Sequence, residues 1–141
     1  MIRTLSLLFL FIGIACQSDE VGPNDLFFKT WERQSGTYQG QAWPSNYGYD
    51  KYPLLVEFGR DGTLLYGTNK GRASCCAPYS YRFTADSLQF AYDNPKPDPI
   101  CAVINCISSE LTAGVSWTIE TLTATDLIIS TADQRIVFKA R

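Results

Sequence analysis

Cysteine is the residue type whose number and spacing carry the clearest chemical meaning in this sequence. The 141-residue chain has five cysteines, and four of them form two groups, Cys75 with Cys76 and Cys101 with Cys106. Four thiolates could hold a metal, but zinc and iron–sulfur sites favour C-x2-C pairs, whereas these groups have C-C and C-x4-C spacings. The N-terminus predicts export, and an even number of cysteines in an exported protein indicates disulfides. We therefore expect disulfides and no metal site.

The four cysteines allow three pairings. Adjacent residues of an extended strand point to opposite faces, so Cys75 and Cys76 are not expected to share one partner region. The second group follows N-P-K-P-D-P, whose prolines cannot form a central strand, and long irregular segments in small domains are usually functional or tied down. We expect disulfides from this segment to Cys75 and Cys76, each closing a loop of about 25 to 30 residues and stabilising by about 3 kcal/mol. A vicinal Cys75–Cys76 bridge beside a local Cys101–Cys106 bridge is the alternative.

The remaining residues offer little for catalysis. The chain has no histidine, which excludes the familiar hydrolase triads and histidine-based zinc sites. The sequence contains no G-x-S-x-G motif and no phosphate-binding glycine loop. Its carboxylates fall mainly at predicted turns or outward positions, where we expect them to be solvated: Glu57, Asp61, Asp86, Glu110, Glu120 and Asp126. We expect no enzymatic activity, no cofactor and, because 12 Lys plus Arg oppose 14 Asp plus Glu, no nucleic-acid partner.

An aromatic segment, W-P-S-N-Y-G-Y-D-K-Y, holds four rings within ten residues: Trp43, Tyr47, Tyr49 and Tyr52. Flat rings beside hydrogen-bonding side chains suit sugars, peptides and other ligands with apolar faces. Pro44 and Gly48 predict an irregular loop. The segment is therefore a candidate binding loop; the alternative is that two or three of the rings fill the mouth of the fold.

The N-terminus, MIRTLSLLFLFIGIAC, has one positive charge at Arg3 and then an apolar run, as a secretory signal does. Gly13 and Ala15 before Cys16 resemble the lipobox of bacterial lipoproteins, which implies that 1–15 is a signal peptide and that Cys16 is acylated. Cleavage after Ala15 by an ordinary signal peptidase is the competing interpretation. The resemblance implies a lipid anchor in the bacterial outer membrane, facing the periplasm or the cell surface, followed by a flexible tether over 16–26.

Beyond Pro23 the apolar residues recur with a period of two, which predicts strands. Leu54, Val56 and Phe58 alternate with other residues before Asp61-Gly62, a pair that favours a hairpin turn. The same pattern with turns at Ala85-Asp86, Thr125-Asp126 and Ala132-Asp133 predicts eight or nine short strands. The fold class is therefore all-β, an antiparallel up-and-down barrel of about eight strands, with a β-sandwich as the alternative. The aromatic residues expected to face inward are Tyr66, Tyr81, Phe83, Phe90, Tyr92 and Trp117.

Several motifs carry a family resemblance: an early T-W, F-G-R-D-G-T-L, Y-R-F-T-A-D-S-L-Q-F, W-T-I-E-T-L-T-A-T-D-L-I-I and a closing R-I-V-F-K-A-R. Together they resemble the lipocalin-like domains of bacterial lipoproteins, small calycin-type barrels, over 27–141. The resemblance implies that Trp31 packs under a basic residue from the chain end, either Arg141 or Lys139.

Two functions are consistent with these observations. The first is an anchored barrel that binds or carries a small apolar ligand, for which Tyr66, Tyr81 and Trp117 would line the interior. The second is a surface module that contacts a protein or a glycan through the aromatic loop, with the barrel as its scaffold.

Overall fold

The period-two pattern folds into short antiparallel strands. The computed structural model describes residues 25–43, 54–68, 75–84, 87–95, 99–104 and 110–141. The predicted signal peptide, Cys16 and most of the tether lie outside the described residues. In the described part the elements are β1 (Thr30–Tyr38), β2 (Gln41–Ala42), β3 (Leu54–Phe58), β4 (Leu64–Thr68), β5 (Ser80–Thr84), β6 (Ser87–Ala91), a 3₁₀ helix (Pro99–Val103), β7 (Ser116–Leu122), β8 (Asp126–Ser130) and β9 (Gln134–Ala140).

Eight of these strands form one nearly closed barrel. Their order in the sheet is β4-β3-β1-β9-β8-β7-β6-β5, and β2 pairs with β1 outside this path. The two ends of the sheet meet where Thr63 bridges Ser80. Beside this bridge the Leu64 amide donates to the Tyr79 carbonyl, and the Tyr81 amide donates to the Gly62 carbonyl. The strand order confirms the predicted up-and-down, lipocalin-like barrel.

Because the strands run alternately up and down, the connections fall into two groups. The closed end holds the N-terminal turn 25–29 and the hairpin turns 59–63 and 123–125. The loop end holds the connections that follow β1, β4, β6 and β8. Trp43, which follows β2, and Glu110, which precedes β7, therefore lie toward the loop end.

Tight turns at the closed end use short polar side chains. In the turn 59–63 the Asp61 carboxylate accepts hydrogen bonds from the backbone amide of Thr63 at 3.0 Å and from its hydroxyl at 2.6 Å. Gly62 adopts a φ of 83°, a left-handed conformation that favours glycine. The predicted Asp61-Gly62 turn therefore joins β3 to β4.

The barrel interior is apolar, as the alternation predicts. Its buried side chains include Trp31, Val56, Phe58, Tyr81, Leu88, Phe90, Trp117, Leu127, Ile129, Ile136 and Phe138. Tyr92, predicted to face inward, is instead 50% exposed. It follows the last residue of β6, so the alternation of that strand no longer fixes its direction.

Phe27 fills the closed end. Its ring is fully buried, with its centroid 4.0 Å from that of Phe58 and 5.8 Å from that of Tyr81. The Trp31 indole N–H donates to the Phe27 carbonyl at 2.9 Å, which fixes the turn against β1. The N-terminal turn therefore contributes Phe27 to the core.

The basic group over Trp31 is Lys29, whose Nζ lies 5.3 Å from the ring centroid and donates to the Ala124 carbonyl. This differs from the implied role of Arg141 or Lys139. Ala140 is the β9 partner of Trp31, so the residues on either side of it point outward. Arg141 accordingly lies 4.0 Å from Glu32, and Lys139 pairs with Asp126.

Replacing Phe27 by Ala should lower the free energy of unfolding by about 3 to 5 kcal/mol, because removal of the large ring creates a cavity in the packed core. Urea denaturation monitored by circular dichroism measures the change. Leu26→Ala is the matched control: Leu26 is exposed, and its loss should change stability by about 0.5 kcal/mol or less. Equal effects of the two substitutions would contradict the assignment of Phe27 as the plug.

Candidate functional site

An ion pair lies inside the barrel toward the loop end. Nη1 of Arg33 on β1 is 2.9 Å from Oε1 of Glu110, and only 14% and 15% of the two side chains is exposed. Arg33 faces inward because it is two residues from Trp31 and pairs with Phe138, a buried residue of β9. Glu110 comes from the connection that precedes β7.

Trp43 covers this pair. Its ring centroid lies 5.8 Å from Cζ of Arg33, within the range of a cation–π contact. Its backbone amide donates to the Gly36 carbonyl at 3.0 Å. A Cβ at Gly36 would lie 2.7 Å from Cε3 of Trp43, so this ring position requires glycine there. The register shift between Arg33 and Ser35 brings Gly36 opposite the buried Ile136.

Tyr66 of β4 completes the cluster. Its side chain hydrogen-bonds the Glu110 carboxylate, which links β4 to the connection that precedes β7. We call Arg33, Trp43, Tyr66 and Glu110 the polar cluster. It combines a guanidinium, a carboxylate, a phenol and an indole, a set suited to recognition by charge, hydrogen bonds and ring contact.

Burial raises the pKa of Glu110, whereas Arg33 and the Tyr66 hydrogen bond act in the opposite direction and only partly offset it. The Oε2 atom of Glu110 is buried, and no described group lies in hydrogen-bonding geometry to it. The carboxylate is therefore held in this position at a cost in desolvation.

The residues after Glu110 fasten its segment to the barrel. Leu111 is fully buried. The Thr112 carbonyl accepts a hydrogen bond from the Trp117 indole N–H at 3.1 Å, and the Gly114 amide donates to the Phe90 carbonyl at 3.3 Å. These contacts position Glu110 over the interior.

The predicted ligand-binding residues fall in different places. Trp43 and Tyr66 meet in the polar cluster. Tyr81 belongs to the closed end, where its hydroxyl donates to the Gly59 carbonyl at 2.6 Å and burial raises its pKa. Trp117 is buried with its ring centroid 6.0 Å from that of Phe90. Tyr47, Tyr49 and Tyr52 lie outside the described residues.

The prediction that Glu110 is solvated is wrong, and the sequence interpretation did not single out Arg33. A signal for Arg33 was present, since it shares the inward parity of Trp31 on one strand. For Glu110 there was no comparable signal, because its connection has no strand periodicity.

Cys75 and Cys101 form a disulfide, with Cα atoms 4.9 Å apart and a sequence separation of 26. This pair matches the expected link between the two groups and excludes the vicinal alternative. Cys76 is also disulfide-bonded. Cys106 lies outside the described residues, so its pairing with Cys76 stays a prediction.

Among the residues that the structure describes, no cluster of three or more His, Cys, Asp or Glu side chains could hold a metal ion. None of the helices in the described part of the chain has the length and apolar character needed to cross a membrane.

No family model matches the chain, and no curated protein matches it. The fold is similar to that of a lipocalin-like protein from Bacteroides uniformis ATCC 8492, with 13% sequence identity, a TM-score of 0.42, and coverage of 82% of this chain and 99% of that chain. An uncharacterized protein from Bacteroides eggerthii DSM 20697 gives 16% identity, the same TM-score and the same coverage of both chains.

The raised pKa of Glu110 predicts a specific pH dependence of stability. The folded state holds the Glu110 proton more tightly than the unfolded chain does, so protonation of this group favours folding. Its contribution to the free energy of unfolding is complete below the unfolded pKa and is lost as pH rises through the raised folded pKa. The wild type should therefore gain stability relative to Glu110→Gln between about pH 7 and about pH 4, as measured by urea denaturation at each pH.

Glu120→Gln is the control with the opposite sign. Hydrogen bonds from Ser130 and Arg135 lower the pKa of the Glu120 carboxyl on the outer surface. Acidification should therefore reduce the stability of the wild type relative to Glu120→Gln. If the free energy of unfolding of Glu110→Gln changed with pH in parallel with that of the wild type, the buried state of Glu110 would be contradicted.

Proposed function

We propose that this protein is an exported, lipid-anchored binding protein whose barrel takes up a small apolar ligand at the loop end. The observation that carries the proposal is the difference between the two ends. Phe27 fills the closed end, whereas at the loop end a half-buried tryptophan lies over polar groups inside an otherwise apolar barrel. Binding sites of this kind combine apolar walls with a few placed polar groups that orient the ligand.

The ligand's apolar part would contact Trp43 and the interior wall formed by the inward residues of β3 and β4. Leu54 and Tyr66 belong to that wall, and both are buried. Trp43 contributes a large flat surface, and the polar cluster contributes orientation. This arrangement supplies what binding needs, an apolar wall with a few polar groups that can orient a ligand.

The proposed anchor is consistent with the end of the barrel at which the N-terminal residues lie. Cys16 precedes the barrel, and the first described residues lie at the closed end, where Asp25 pairs with Arg60 at 2.6 Å. The tether would therefore join the barrel at the end opposite the polar cluster. A membrane anchor placed there leaves the candidate site open to incoming ligand.

Binding of N-phenyl-1-naphthylamine, an uncharged fluorescent probe, tests the ligand site in the full chain carrying Cys16→Ser. We expect the probe's fluorescence to increase and to saturate as it binds. Trp43→Ala should bind the probe at least about tenfold less tightly, because stacking and apolar contact are lost. Val103→Ser is the control for adsorption to the surface, since Val103 is 82% exposed on the 3₁₀ helix. Absence of saturable binding, or equal loss in both variants, would contradict an interior ligand site.

The second candidate function is contact with a protein or glycan at the loop end. Exposed apolar side chains on that side favour it: Tyr92, Val103 and Ile104. The probe experiment separates the two candidates, because a scaffold with a filled interior binds no apolar probe.

Replacing Cys16 by Ser tests the anchor. In a bacterial host we expect the wild type to incorporate labelled fatty acid and to sediment with membranes, because two or three acyl chains provide stable attachment. Cys16→Ser should lose the label and leave the membrane fraction, whereas the neighbouring Ser18→Ala should retain both properties. Incorporation of label into Cys16→Ser would reject this residue as the acylation site.

A further inference from the structure

We infer that Arg33 and Tyr66 form a binding position for a carboxylate, that Glu110 is its internal occupant, and that the ligand is a small apolar molecule bearing a carboxylate group. This inference rests on the proposed function and specifies the ligand class of the same site. In the free protein, the Glu110 side chain stands where the ligand's carboxylate binds.

The first argument concerns Arg33. It projects from a barrel strand into an interior lined mainly by apolar and aromatic side chains. A buried ion pair often stabilises a fold no more than apolar residues of the same size would, so stability alone gives little reason for a guanidinium here. A guanidinium does match the two oxygens of a carboxylate in shape and charge.

The second argument concerns the origin of Glu110. Arg33 and Tyr66 stand on strands β1 and β4, which belong to the barrel wall. Glu110 belongs to the connection before β7. That connection is hydrogen-bonded to the barrel at Thr112 and Gly114, which both follow Glu110 in the chain. The cationic part of the cluster is therefore fixed in the wall, whereas the anionic part is brought in by a loop segment.

The third argument is chemical likeness. Glu110 is followed by Leu111, which is fully buried, so this segment presents a carboxylate beside an apolar group to the interior. An amphipathic carboxylic acid presents the same two features. Both occupants neutralise Arg33, and both place apolar surface against the barrel.

The exchange is balanced in charge. When a ligand carboxylate pairs with Arg33 and Tyr66, the Glu110 carboxylate returns to water and regains its hydration. One carboxylate replaces another on the same guanidinium, so no buried cation is left without a partner. An ester or alcohol of the same apolar body cannot make this exchange.

The test compares a dansyl-labelled fatty acid with its methyl ester, using fluorescence titration near neutral pH on the full chain with Cys16→Ser. Glu110→Gln removes the internal competitor and keeps its shape. We expect this variant to bind the acid about tenfold more tightly than the parent chain, since a charge-assisted pair becomes available. Affinity for the ester should stay within about twofold of the parent value, because the ester does not compete for Arg33.

Arg33→Met combined with Glu110→Gln removes both charges together, which avoids a folded state with one unpaired buried charge. This double variant should bind the acid at least about tenfold less tightly than Glu110→Gln, with the ester unchanged. Glu120→Gln is the matched control, because Glu120 pairs with Arg135 on the outer surface at 2.8 Å. It should leave both affinities at the parent values.

Three other results would overturn the inference in different ways. Equal binding of acid and ester in every variant leaves an apolar binding site but rejects the carboxylate position. Failure of the acid, the ester and the uncharged probe to bind at all rejects the proposed ligand site itself. Tighter acid binding in Glu120→Gln would assign the effect to overall charge rather than to Glu110.

Discussion

Closure of the sheet is the constraint on which the rest of this structure depends. The bridge between Thr63 and Ser80, with its flanking backbone hydrogen bonds, joins the first and last strands of the path. Closure covers the edges that an open sheet would expose and divides every strand into an inner and an outer face. A polar group on an inner face then has no access to bulk water through the wall, so it must find its partners inside the barrel. Arg33 is such a group, and its partners inside the barrel are the other residues of the polar cluster.

The two ends of the barrel meet the same constraint differently. At the closed end Phe27 completes the apolar core, and the Trp31 indole and the Tyr81 hydroxyl each donate to a backbone carbonyl. At the loop end the covering groups are a charged pair, a phenol and an indole. The closed end is sealed by aromatic rings, whereas the loop end holds a charged pair inside an apolar wall, an arrangement that is costly unless the charges are paired.

Most of the barrel could be predicted from the sequence, because its determinants are local. Alternation fixes which residues face inward, and the Asp-Gly turn after β3 and the Thr-x-Asp turn after β8 fix where those strands reverse. The pairing of Arg33 with Glu110 could not be predicted, because it joins a strand to a connection with no periodicity. The implied position of Arg141 failed for a related reason. The pairing of Ala140 with Trp31 decides which side chains of β9 face inward, and that register forms only when the chain ends meet.

Two short strands, β2 and β3, pair with different parts of β1, and this affects how freely the chain between them can vary in sequence. β1 pairs with β2 through Thr37 and Tyr38 and with β3 through Thr30 to Glu32, and the segment 43–53 is inserted between these two pairings. Because each pairing has its own register, we expect insertions or deletions after Trp43 in that segment to leave both registers intact. Arg33 lies beside the gap between the two pairings. Changes in this connection could therefore alter which groups contact the Arg33 guanidinium while the strands keep their pairing. This part of the wall is accordingly the place to engineer a new ligand selectivity.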